Sequence, residues 1–138
     1  MGRLIVFRLV DGKLVQIHEK DISGAPYVVH NFNGKLLAAV NSTVRLFEWT
    51  AKSKELNIES SYFNNIVAYR LKTKGDFIIV GDLMRSVSLL AYKSIGGNID
   101  KIAGSRDLTW LTEMNFIDDD AFIVADSDHN LFVLQKDL

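Results

Sequence analysis

Apolar runs of about four to seven residues recur along the whole chain, separated by clusters of Gly, Asn and Asp. Nearly every run is rich in Val, Ile, Leu, Phe or Tyr. Runs of this length and composition between turn formers predict β-strands joined by tight turns, so the chain reads as all-β.

The runs repeat. Residues 34–40 superpose on 75–81 and on 120–126, each with turn residues before and after. The next run repeats better: Leu4-Ile5-Val6-Phe7, Val44-Arg45-Leu46-Phe47, Val87-Ser88-Leu89-Leu90 and Leu131-Phe132-Val133-Leu134 start 40, 43 and 44 residues apart. A third, more polar run follows at 13–17, 55–58 and 98–102, and its apolar–polar alternation suits a half-exposed outer strand. A fourth run precedes each turn, at 27–32, 67–71 and 111–116.

Four antiparallel strands in about 40–45 residues is the period of a β-propeller blade, whose inner strands are flanked on both faces by neighbouring blades. That explains why residues 34–40 and 75–81 are apolar without alternation. The expected fold is a partial β-propeller of four-stranded, WD40-like blades over 1–138. Residues 1–22 would be the last two strands of a blade, 23–64 and 65–107 whole blades, and 108–138 the first three strands of another. Propellers have about four to eight blades. The chain is therefore expected to be a piece of a larger protein, or else to complete its ring with another copy; the piece is favoured.

Charge and composition narrow the function. Sixteen Lys and Arg against seventeen Asp and Glu leave a net charge of −1. No long-range field draws the chain to nucleic acid or to an anionic membrane. Cysteine is absent, which removes disulfides, thiolate metal sites and cysteine nucleophiles. No apolar run approaches the roughly 18 residues of a membrane span, and no signal-peptide pattern opens the chain. The expected location is nucleus and cytoplasm.

The catalytic inventory is thin. His18, His30 and His129 fall in different repeats, with no pair spaced to share a metal. Asp126-Ser127-Asp128-His129-Asn130 opens like a calcium loop, but Leu131 stands where the loop needs Gly, so a hairpin turn is the better reading. Asp118-Asp119-Asp120 falls where turn formers are expected and reads as a solvated turn. Asn41-Ser42-Thr43 matches a glycosylation sequon that means nothing without secretion. No phosphate-binding glycine spacing or strained nucleophile elbow occurs. The nearest approach to a nucleic-acid patch, Arg70-Leu71-Lys72-Thr73-Lys74, is bracketed by Asp76. Asp76 and Asp82 adjoin glycines at strand ends and are expected to hold turns. No enzyme activity, cofactor or metal is expected.

Longer motifs carry a resemblance: Asn33-Gly34-Lys35-Leu36-Leu37-Ala38, Glu48-Trp49-Thr50, Leu71-Lys72-Thr73-Lys74-Gly75-Asp76 and Val80-Gly81-Asp82-Leu83-Met84-Arg85-Ser86-Val87. From Gly2 to Leu138 the chain resembles the C-terminal propeller of the family of the UV-damaged DNA-binding protein's large subunit, the adaptor of cullin-four ubiquitin ligases. The largest cleavage and polyadenylation factor subunit and a large splicing-factor subunit look like weaker matches. The resemblance implies a protein-binding scaffold that grips interchangeable WD40-type substrate receptors alongside the adaptor's other propellers and touches DNA only indirectly. The alternative is a propeller module of the cleavage or splicing type that binds nucleic acid directly.

Antiparallel blades bring the connections between blades and the second-to-third hairpins to one rim. That rim would hold Gly24, Ala25, Pro26, Asn65, Ile66 and Trp110, with Leu83 in a hairpin. The resemblance implies receptor contacts at Ala25, Tyr27, Val28, Val67, Tyr69, Arg70, Leu83 and Trp110. Tyr27, Val28 and Val67 suit core packing equally well, whereas the family has apolar residues in place of Tyr69 and Arg70, which implies a reshaped pocket there.

Overall fold

The computed structural model describes residues 1–63, 67–82, 86–105 and 111–136. Each run predicted as a strand is one. The described residues hold β1 (Gly2–Val10), β2 (Lys13–Ile22), β3 (Pro26–Phe32), β4 (Lys35–Val40), β5 (Thr43–Thr50), β6 (Glu55–Phe63) and β7 (Ala68–Lys74). They continue with β8 (Phe77–Asp82), β9 (Ser86–Lys93), β10 (Asn98–Ser105), β11 (Leu111–Phe116), β12 (Ala121–Asp126) and β13 (Leu131–Gln135).

All pairings are antiparallel between sequence neighbours, in four sheets: β1-β2, β3-β4-β5-β6, β7-β8-β9-β10 and β11-β12-β13. The leading strands β3, β7 and β11 touch in succession, and the trailing strands β6 and β10 touch each other. Sheets stacked face to face about converging first strands are propeller blades.

Three seams hold the sheets together. Between the second and third, Leu37, Ala39, Val44 and Leu46 meet Leu71, Ile78, Val80 and Leu90. Between the third and fourth, Ile79, Val87 and Leu89 meet Leu111, Met114, Phe122 and Val124. Between the first and second, Leu4 and Ile22 meet Ala38, Val40, Phe47 and Leu56. Alternate residues of β4 and of β8 thus enter opposite seams, which is why residues 36–40 and 77–81 are apolar without alternation. Gly81 keeps one seam tight, since a Cβ there would sit 2.5 Å from Leu111 Cδ2.

The structure corrects one detail of the repeat. Matching Gly34 with Gly75 superposes Leu37 on Ile78, yet those two residues face each other across one seam and are not equivalent. Val40 and Asp82 each pair with the residue just before a bulge, which makes Leu36 the counterpart of Ile78. The two glycines occupy different places in their two-residue turns, so a glycine match slips the strand by one residue and exchanges its faces. Residues 120–126 match 34–40 in the correct register, with Phe122 the counterpart of Leu36, so only 75–81 is slipped and Phe122 is the counterpart of Ile78.

Bulges repeat with the blades. Each trailing strand carries one extra residue, at Ile17, Glu59 and Ile102. Glu59 uses its place to lock two sheets. Lys35 Nζ donates to its Oε1 at 2.7 Å and lies 2.6 Å from Oε2, and Tyr92 of the next sheet donates its hydroxyl to Oε1 at 2.7 Å. Oε2 accepts no hydrogen bond among the described residues and is neutralised only by that ammonium.

Two faces stay open. Phe7, Leu9 and Leu14 are 52%, 70% and 70% exposed. By register they match Phe47, Trp49 and Leu56, which pack between the first and second sheets. On the last sheet Leu131 and Val133, 71% and 63% exposed, match the buried Val87 and Leu89. Beside β13 a cavity of about 110 Å3 lined by Leu89, Ala103, Phe122 and Leu134 marks the fourth sheet's seam with the third. In the preceding seams a trailing-strand residue, Leu56 or Ile99, is buried in the core.

Exposed faces built like buried seams should drive the isolated chain to associate. Sedimentation velocity should show mass rising with concentration, and Leu14→Glu with Val133→Glu should shift the population toward monomer. A wild-type chain that stays monomeric over a wide concentration range contradicts this.

The lock at Glu59 predicts a pH dependence. The hydrogen bonds from Lys35 and then Tyr92 hold its carboxyl below the ordinary carboxylate range. Its contribution is therefore present above the unfolded value of about 4.3 and is lost as pH falls through the lower folded value. The urea midpoint of wild type should exceed that of Glu59→Gln near pH 7, and the gap should narrow as pH falls below about 4.3.

Candidate protein-docking site

The rim is organised by Asn41, at the hairpin joining β4 and β5. Its Oδ1 accepts from Ala25 N at 2.9 Å, its N–H donates to Ala25 O at 3.1 Å, and its carbonyl accepts from Ala68 N at 3.0 Å. One residue thereby ties the connection before β3 to the start of β7. Asn41 adopts φ 51°, which Asn tolerates better than most residues. Gly24 approaches so closely that a Cβ would lie 2.5 Å from Asn41 Nδ2, and its φ of 122° also demands glycine.

The leading strands carry bulges at Tyr27, Tyr69 and Thr112, 42 and 43 residues apart. A bulge re-aims its side chain away from the regular pleat. Tyr27 is 53% exposed and borders a groove of about 490 Å3 between β1 and β3, lined also by Arg3, Ile5, Pro26, Val28 and Val29. Tyr69 turns instead to the next sheet, where its hydroxyl donates to the Leu111 carbonyl. Burial raises its pKa above the ordinary phenol value.

Arg70 lies with its guanidinium 5.3 Å from the centre of the Tyr69 ring. It donates from Nε to Thr112 O and from Nη1 to Tyr69 O, both at 3.2 Å.

The candidate residues therefore fall as follows. Ala25, Tyr27 and Val28 sit on or before β3, and Val67, Tyr69 and Arg70 on or before β7, on two leading strands in contact. Ala25 and Tyr27 are exposed, whereas Val28 reaches into the seam between the second and third sheets. Val67 is half-buried. Leu83 and Trp110 lie outside the described residues, as do Asn65 and Ile66. Sequence reading passed over Asn41 as an idle sequon; an Asn heading a tight hairpin was the signal that it shapes the rim.

The remaining polar groups serve turns and seams. Asp118 Oδ1 accepts from the N–H groups of Asp120 and Ala121 at 2.8 Å, and Asp126 Oδ1 from those of Asp128 and Asn130 at 3.0 Å. Both are turns, as read. Asp76 accepts from the Asn33 amide at 3.2 Å, joining two hairpins of neighbouring sheets, and Asp82 is buried at the end of β8. His30 Nε2 meets Thr73 Oγ1 at 2.9 Å between β3 and β7. Burial, and then the charge of Lys72, lowers that imidazole's pKa, which opposes protonation. This imidazole–hydroxyl pair ties β3 to β7.

Fold and rim define the class as an array of β-propeller blades. The chain belongs to the family described as CPSF A subunit region, whose match covers residues 1–138. It is 45% identical over 137 residues to DNA damage-binding protein 1 of Drosophila melanogaster, a match to 99% of this chain and 12% of that protein. DNA damage-binding protein 1 of Solanum lycopersicum is 42% identical and DNA damage-binding protein 1a of Arabidopsis thaliana 41%, each over 98% of this chain and 13% of the relative. The chain thus spans about an eighth of the length of these relatives.

Asn41→Ala should remove the acceptor for Ala25 N and destabilise the chain by about 1 kcal/mol. Urea denaturation checks the magnitude. An unchanged midpoint would show that the hairpin closes the rim without it.

Proposed function

We propose that this chain is part of the substrate-receptor-binding propeller of a cullin-four E3 ubiquitin ligase adaptor acting in DNA damage repair. It is a protein-interaction scaffold without catalytic chemistry, working in the nucleus and cytoplasm. Its partners are WD40-type substrate receptors and the adaptor's other propellers, and DNA is reached only through the receptor. The observation that carries this reading is the rim of β3 and β7, where exposed Ala25 and Tyr27 stand beside Val28, Tyr69 and Arg70. The names of the relatives supply the DNA-damage context.

Direct nucleic-acid binding is less well supported. Within the basic run, Lys74 pairs with Asp119 at 3.4 Å, which leaves Arg70 and Lys72 as its two cations outside the five ion pairs of the described residues. What remains is too little charge to track a phosphate backbone.

A panel of purified WD40-type receptors tested against the immobilised chain should include binders, and Tyr27→Ala should weaken them by about 2 kcal/mol, as for an aromatic anchor. Receptor binding indifferent to Tyr27→Ala would move the site elsewhere. Tight binding of naked duplex DNA that falls steeply with salt would favour the nucleic-acid reading instead.

A further inference from the structure

Five ion pairs among the described residues take up Arg3, Lys35, Lys74, Lys93 and Lys136. Arg70 is in none of them. Two of its N–H groups are spent on neutral carbonyls, which orient the guanidinium without neutralising it. An arginine has five such donors, so three have no acceptor among the described residues. The register places Val28, Arg70 and Glu113 at the same position of three successive leading strands. Glu113 is the acid beside it by register, and its Oε1 accepts from the N–H of Met114 at 3.0 Å.

The cation is also held still. Its guanidinium lies over the Tyr69 ring, and the Tyr69 hydroxyl is anchored on the Leu111 carbonyl. Fixing a side chain before a ligand arrives removes ordering entropy from the binding step. A planar guanidinium fork matches a carboxylate in two parallel hydrogen bonds, and half-burial over Tyr69 strengthens such a pair over one in open water.

We infer that Arg70 is a carboxylate-reading residue of the rim: a docked protein presents an Asp or Glu side chain to its free N–H groups. The inference rests on the docking reading above and adds the chemistry of the partner. Tyr27 and Ala25 supply the exposed apolar contact, and Arg70 selects for acid. A merely structural Arg70, tying β7 to β11, is the competing outcome.

Two arms test it. In the first, hexaglutamate and hexaglutamine peptides are titrated at low salt against the chain, with the Arg70 Nε–Hε resonance followed by NMR. Hexaglutamate should shift that resonance saturably and hexaglutamine should not. Arg70→Met should weaken hexaglutamate about tenfold or more, the loss of one charge-assisted pair. Arg70→Lys, which keeps stem and charge but loses the fork, gives the same comparison where the Met variant does not fold. No shift at Arg70, or unchanged affinity in the variants, overturns the inference even where a receptor binds.

In the second arm, a WD40-type receptor that binds wild type is measured against Arg70→Glu. Binding should be lost, and reversing one acidic residue of the receptor to Arg should restore it. Unchanged affinity overturns the inference and leaves docking intact. Loss with a collapsed melting midpoint and no rescue by any reversal makes Arg70 a structural tie and overturns it as well. Receptors that all fail to bind a chain whose Arg70 takes hexaglutamate overturn the docking reading alone.

Discussion

Two-sided burial of the second strand of each blade is the constraint on which the rest of the structure depends. The apolar side chains of β4 and β8 must find neighbours in one of two seams, and the sheets on either side provide them. Ile78 and Ile79, adjacent in sequence and both fully buried, enter different seams. No single sheet could shelter both. Stability is therefore shared between neighbours, and a blade without a neighbour exposes what the others bury.

The polar groups are arranged around this constraint. They sit where a seam reaches solvent: Lys35, Glu59 and Tyr92 at the trailing edge, His30 and Thr73 at the leading edge, and Asn41 at the rim. Each satisfies a group from a different sheet, so each fixes how adjacent blades are rotated about one another. The six bulges do the same work for the backbone, adding local twist at matching points of the repeat.

Function follows from what these obligations leave over. Turn acids close turns, the imidazole of His30 bonds a hydroxyl, and among the described residues Lys35, Lys74, Lys93 and Lys136 are paired with acids. The rim of β3 and β7 is different. There a bulge lifts Tyr27 into solvent, while its counterpart Tyr69 is drawn into the next sheet and carries Arg70 with it. Equivalent positions of one repeat have thus diverged into an open aromatic face and a mounted cation. A binding surface needs such local difference; the seams need uniformity.

Much of this was legible in the residues. Strand length, turn chemistry and the spacing of 40 to 44 residues determined the strand count, the antiparallel order and the propeller architecture, because each is set by local patterning. The turn roles of Asp118 and Asp126 were local too. Register within the repeat was not, because Gly34 and Gly75 look alike in sequence and only the seam shows that Leu37 faces Ile78. Nor was the divergence of Tyr27 and Tyr69, nor the reach of Asn41 across two connections. Those depend on which sheet stands next to which. A sequence specifies its own strand periods locally, but the partner that a side chain meets across a seam is decided only when two blades pack.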